Sequence, residues 1–203
     1  MRLIAALLAL AVPAIPAFAS DWSIVASATR ASVVDIASGG GKCSGFVSDD
    51  TRDYVVTAAH CDSTGPNDVL YVDSMPAKVR VKDVKNDLMS LYVEGIDRPA
   101  LRLAKDDPKI GHEVASYGWG WALNTPLFRV ANISAQDMTV PGFETARYLA
   151  IDAAFVGGQS GGPVVNMQGE VVMIVQLGND VAGWGVGAEM IKDKLGKYFA
   201  EVK

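Results

Sequence analysis

Short apolar runs separated by turn residues dominate the chain from Ser23 onward. Ser23–Ser27, Val33–Ile36, Gly45–Val47, Tyr54–Thr57, Val69–Val72, Lys78–Val84 and Leu88–Val93 alternate or concentrate β-branched residues, and Gly, Asp, Asn, Ser or Pro bounds each run. These runs predict strands. Arg98–Leu103 extends the series, and Asp106-Asp107-Pro108 marks a linker. A second series follows at Glu113–Tyr117, Phe128–Ser134, Arg147–Ile151, Gly162–Asn166, Val171–Gln176 and Trp184–Ala188. Many short strands at this spacing predict an all-β barrel or sandwich. The last segment differs, because Met190, Ile191, Leu195, Tyr198, Phe199 and Val202 recur at helical spacing with Lys and Asp between them. That pattern predicts an amphipathic helix packed on the barrel, with a partner-binding helix as the alternative.

The first residues carry a different signal. Arg2, the apolar run Leu3–Val12 and the small-x-small triplet Ala17-Phe18-Ala19 read as an export signal, residues 1–19, cleaved to leave Ser20–Lys203. The apolar run falls short of the about 20 residues that span a bilayer, so no membrane anchor is expected after cleavage. The net charge of −5, one unit more negative without Arg2, argues against nucleic acid or anionic membranes as partners. The chain has two cysteines, Cys43 and Cys61, and an even count in an exported chain favours one disulfide over two free thiols. Such a bridge would also fix His60, the neighbour of Cys61.

Gly157-Gly158-Gln159-Ser160-Gly161-Gly162-Pro163 places a serine among four glycines. A core gains little from such a loop, whereas an exposed hydroxyl flanked by accessible backbone N–H groups suits a nucleophile. A serine nucleophile needs a base, and the chain offers only two histidines. His60 ends the apolar run Val55-Val56-Thr57-Ala58-Ala59 and is the candidate base. His112 sits in a polar turn beside Glu113; no further His or Cys lies at ligand spacing, so no metal site is expected. Asp87, at the mouth of the run Leu88–Val93, is the leading orienting acid, with Asp83 and Asp97 as weaker alternatives. Gly158-Gln159-Ser160-Gly161-Gly162 also fits the G-x-S-x-G elbow of α/β-hydrolases, but no histidine follows Ser160, which excludes that triad order. Gly39-Gly40-Gly41-Lys42 lacks the Ser or Thr of a phosphate loop and reads as a turn.

The order His60, Asp87, Ser160 resembles that of chymotrypsin-like (trypsin-like) serine proteases, and the surrounding motifs agree. Thr57-Ala58-Ala59-His60-Cys61 resembles the histidine motif, Asp87-Leu88 the aspartate motif and Gly118-Trp119-Gly120 the opening of the second barrel. Asp152-Ala153-Ala154-Phe155 and Gly158-Gln159-Ser160-Gly161-Gly162-Pro163-Val164-Val165-Asn166 are similar to the bacterial HtrA type. The likeness runs from about Ser23 to about Ala188.

The resemblance implies two six-stranded antiparallel β-barrels, about residues 20–108 and 109–188, followed by a C-terminal helix over about 189–201. It implies a monomeric, exported, secreted or periplasmic serine endopeptidase acting on protein or peptide substrates without a cofactor. Ser160 would attack, His60 would move the proton, Asp87 would hold the imidazole, and the N–H groups of Gly158 and Ser160 would form the oxyanion hole. Cys43–Cys61 would match the family's bridge at the histidine loop. Ala154 would form the base of the specificity pocket, and Gly178 and Gly185 its walls; none is acidic, which favours an uncharged aliphatic or aromatic P1 residue. A catalytically inactive binding module and an esterase on the same fold are the alternatives. Gln159 stands where animal members carry an Asp that pairs with a new N-terminus, so activation of that kind is not expected. Nothing resembling a PDZ domain follows.

Overall fold

The computed structural model describes residues 21–48, 54–65, 68–141 and 143–199. The export signal of residues 1–19 lies outside them, as does Val202.

The first element corrects the sequence reading. Ser23–Ser27 lies within helix α1 (Trp22–Arg30), not a strand. Ser-Ile-Val-Ala-Ser is a short apolar run with two β-branched residues, yet Trp22, Val25 and Thr29 bury one helical face, and Asp21 caps the start by accepting from the Ser23 N–H at 3.0 Å. The Trp22 indole donates to Glu113 Oε1 at 2.6 Å and packs against Phe128.

Six strands then close a barrel: β1 (Val33–Ser38), β2 (Gly41–Val47), β3 (Tyr54–Thr57), β4 (Leu70–Val72), β5 (Met75–Asp83) and β6 (Leu88–Tyr92), in the order β1-β2-β3-β6-β5-β4. Gly39 and Gly40, at φ +53° and +83°, turn β1 into β2 as a two-residue hairpin loop that demands left-handed backbone. Arg98–Leu103 forms only single bridges, Ser48 with Leu101 and Leu103 with Val171. Pro99 removes one ladder donor from that segment.

The second unit holds β7 (Glu113–Trp119), β8 (Pro126–Val140), β9 (Phe143–Ile151), β10 (Pro163–Val165), β11 (Val171–Ile174), β12 (Leu177–Gly178) and β13 (Gly183–Val186). They form one seven-stranded sheet, β11-β10-β7-β8-β9-β13-β12, where a closed six-stranded barrel was expected. The cause sits at Val175-Gln176. Val175 N–H still donates to Gly162 C=O, but Gln176 N–H donates to Trp184 C=O, so the expected strand Val171–Gln176 ends early as β11 and the chain continues with a new partner as β12. These two edges are consecutive in the chain, and a Met173–Gly187 bridge spans the gap as the sheet curls.

Helix α2 (Ala188–Phe199) buries Ile191 and Leu195 and packs against β5, β6 and β11, so it straddles both units. Its start is held by Asp107, whose carboxylate accepts from the Glu189 N–H at 2.9 Å. Among the described residues no helix is long and apolar enough to cross a membrane. The Cys43–Cys61 disulfide is present, with 5.9 Å between the α-carbons.

Candidate active site

The three candidate residues come from three different turns. His60 sits on the single 3-10 turn Ala59–Cys61 that follows β3, and Cys61 pins that turn to β2 through the disulfide. Asp87 precedes β6 with φ +50°, a left-handed conformation that Asp tolerates better than most side chains. Ser160 lies in the loop between β9 and β10.

His60 and Asp87 are joined twice. His60 Nδ1 lies 2.7 Å from Asp87 Oδ2, and the His60 backbone N–H donates to Asp87 Oδ1 at 2.8 Å. Asp87 is 2 % exposed, so its carboxylate meets the imidazole away from bulk water. The other acids are elsewhere: Asp83 accepts from Asn86 and Asp97 is exposed. Gln176, from the opposite unit, donates through Nε2 to the backbone carbonyls of Asn86 at 2.8 Å and Asp87 at 2.6 Å. Tyr148 is buried on β9; burial pushes its phenol up to about 12, and the Asp87 charge acts in the same direction.

Ser160 and His60 face one cavity of about 240 Å³, also lined by Phe155, Val156, Gly157 and Gln176–Gly178. They form no hydrogen bond with each other among the described residues, so this pair meets only across the cavity. The loop around Ser160 is fixed peptide by peptide. Gly157 C=O accepts from the Trp121 N–H at 2.8 Å, and a planar trans peptide then turns the Gly158 N–H the opposite way. Gly158 has φ +98°, and a Cβ there would stand 2.7 Å from Trp119 O. Gln159 is 1 % exposed and folds back so that Oε1 accepts from the Val156 N–H at 2.9 Å. The N–H groups of Gly158 and Ser160 have no acceptor among the described residues, whereas Gly161 N–H donates to Val175 C=O and Gly162 N–H to Gln159 C=O.

Of the three expected specificity-pocket residues, Gly178 lines the cavity and Ala154 and Gly185 do not. Ala154 offers its carbonyl to the Arg129 guanidinium. Gly185 packs its α-carbon against the Ile174 carbonyl, where any side chain would collide. Phe155 lines the cavity, and it lies against Gly178 and Gly183 so closely that a Cβ on either would clash. Cys43, His60 and Cys61 bring their ligand atoms within 4.8 Å of one another, but the two sulfurs are bonded to each other and offer no thiolate. His112 Nδ1 accepts from the Lys109 N–H, and Glu113 holds Trp22. A larger open concavity, about 670 Å³ between Ala104–Val114 and Asn166–Val172, contains none of the three candidate residues.

Residues 43–174, more than half of the chain, match the trypsin-like peptidase domain family. The chain belongs to that family. Among curated relatives, a probable periplasmic serine endoprotease DegP-like from Hahella chejuensis is 34 % identical over 101 residues, 49 % of this chain and 21 % of the relative. A mitochondrial serine protease HTRA2 from Drosophila willistoni is 30 % identical over 138 residues, 64 % of this chain and 32 % of the relative. The chain thus spans between about a fifth and a third of the length of these relatives. Among solved structures, the active form of the Rv3671c protease from M. tuberculosis superposes with TM-score 0.74 at 25 % identity, covering 95 % of this chain and 94 % of that one. Its inactive form gives TM-score 0.73 at 27 % identity, covering 90 % and 98 %.

For a trypsin-like peptidase domain, three features of the site escaped sequence reasoning. Gln176 and Ser44 act through hydrogen bonds that cross between the two units, and no local pattern signals them. Phe155 was legible in principle as the bulky residue directly after Ala154.

Proposed function

We propose that this chain is an exported serine endopeptidase that cleaves peptide bonds through an acyl-enzyme on Ser160. The observation that carries the reading is the 2.7 Å contact between His60 Nδ1 and buried Asp87, with Ser160 across the same cavity and the Gly158 N–H turned away from Trp121. Asp87 holds the tautomer that leaves Nε2 unprotonated, so His60 takes the Ser160 proton as Oγ attacks the carbonyl carbon. The oxygen becomes an oxyanion facing the Gly158 and Ser160 N–H groups, which stabilise it most in the transition state. His60 then returns the proton to the leaving amine, and water repeats the sequence on the acyl-enzyme. The expected export signal of residues 1–19 and the periplasmic names of the bacterial relatives support a periplasmic or secreted location.

A fluorophosphonate probe tests the assignment. The folded protein is expected to gain one adduct, mapped by mass spectrometry to Ser160. A folded protein that stays unlabelled would make the chain a binding module, and an adduct at another residue would remove Ser160 from the role of nucleophile.

The P1 preference follows from Phe155. Its ring occupies the space between Gly178 and Gly183, which leaves a shallow, uncharged pocket and favours a small aliphatic P1 residue. Phe155→Ala is expected to move the preference from Ala or Val toward Leu or Phe by about 10-fold or more, because one methylene contributes about 1–3 kcal/mol of discrimination. A peptide-library profile read on both proteins checks this. Dominance of Lys or Arg in either would defeat it.

A further inference from the structure

We propose that Ser44, on the first barrel, is a positioning residue that holds the oxyanion loop of the second unit in its working shape; the inference rests on the peptidase reading above. Ser44 lies on β2 next to Cys43 and is fully buried. Its hydroxyl donates to the Gly158 carbonyl at 2.8 Å and accepts from the Trp119 N–H at 2.7 Å. Its own N–H donates to the Ser160 carbonyl at 2.8 Å, and its carbonyl accepts from the Thr57 hydroxyl at 2.7 Å. One residue of the first barrel therefore grips both residues that would supply the oxyanion donors.

The hydroxyl matters because of the residue it holds. Gly158 has the wide backbone freedom of glycine and sits at φ +98°, and the direction of its N–H depends on the peptide planes on either side. Trp121 fixes the plane before Gly158 through the Gly157 carbonyl. Ser44 holds the plane after it through the Gly158 carbonyl at 2.8 Å, with a longer bond of 3.3 Å from the Gln159 N–H of the same peptide to Val156 C=O. The same hydroxyl also anchors the end of β7 at Trp119, two residues before Trp121, so it steadies the segment that carries the first hold as well. Without that hydroxyl the buried Gly158 carbonyl and Trp119 N–H lose their partners. Rotation of the peptides around Gly158 relieves this, and the Gly158 N–H then loses the direction that the Trp121–Gly157 bond gives it. Catalysis suffers more than substrate binding, because the oxyanion exists only in the transition state and its intermediates.

Ser44→Ala is expected to lower kcat about 10- to 100-fold with KM changed less than about threefold, short of the about 10²- to 10³-fold that follows outright loss of a donor. A peptidyl trifluoromethyl ketone ending in alanine probes the hole directly. Ser160 Oγ adds to the ketone carbon, the proton passes to His60, and the ketone oxygen becomes the oxyanion. Its affinity is expected to fall by the same factor as kcat, while that of the matching peptide amide, which forms no oxyanion, holds constant. Ser44→Thr restores the hydroxyl and is expected to recover most of the loss. Equal losses for ketone and amide, or a kcat within twofold of wild type, overturn the proposal. A crystal structure of Ser44→Ala shows the loop itself, whatever the activity. A displaced Gly158 peptide supports the proposal, and an unmoved one overturns it even if the wild-type protein fails to label and the peptidase reading falls.

Discussion

Ser160→Ala is expected to lower kcat on a chromogenic peptide by about 10⁶-fold and to leave the melting temperature almost unchanged. The size of the loss reflects that nucleophile and base act as a unit, so removing one discards nearly all that the pair achieves. The neutrality toward folding has a local cause. Ser160 is only half-buried, and its hydroxyl has no hydrogen-bond partner among the described residues, so alanine orphans no buried group. Its backbone contacts, from Ser44 and to the loop, survive the change. Residual activity above about one-thousandth of wild type would remove Ser160 from the role of nucleophile, because the oxyanion hole and binding alone leave far less. Steady-state kinetics and a thermal melt on the same two samples decide both halves.

Asp87→Asn is expected to cost about 10⁴-fold in kcat, less than the loss of the nucleophile but through a more specific route. Asparagine fits the site: it tolerates the φ of +50°, and its oxygen can still accept from the His60 backbone N–H. Its amide nitrogen then faces His60 Nδ1 as a donor. The imidazole must present a lone pair there, which puts its proton on Nε2, the atom that should receive the proton of Ser160. The enzyme stays folded with the wrong tautomer. Slow fluorophosphonate labelling is expected to persist in Asp87→Asn and to vanish in Ser160→Ala. A kcat within tenfold of wild type would show that His60 is oriented by something other than Asp87.

The parts of this site that local chemistry dictates were legible along the chain. Two histidines, one serine among glycines and one acid at the start of an apolar run left few combinations, and the structure brings His60 and Asp87 into contact with Ser160 facing the same cavity. What was illegible depends on distant partners. Ser23–Ser27 carries a β-branched apolar run like a short strand, and only the Asp21 cap and the contact of Trp22 with Glu113 and Phe128 make it a helix. The run Val171–Gln176 gives no hint that its last residues change neighbours, because that switch is set by Trp184 on another strand. Ser44 fell outside the expected strand Gly45–Val47 and drew no reading, because its partners lie more than a hundred residues away at Gly158 and Ser160.

The two terminal helices have crossed allegiances. α1 leads into the first barrel yet lies on β8 of the second unit, and α2 leaves the second unit yet reaches over β5 and β6 of the first. Each half of the chain thus carries the clasp that covers its sibling. The stretch Asp106-Asp107-Pro108 is then not what keeps the halves together. A backbone nick there would leave a non-covalent heterodimer, and the halves would trade poorly as interchangeable parts, because each is finished only by the other's end.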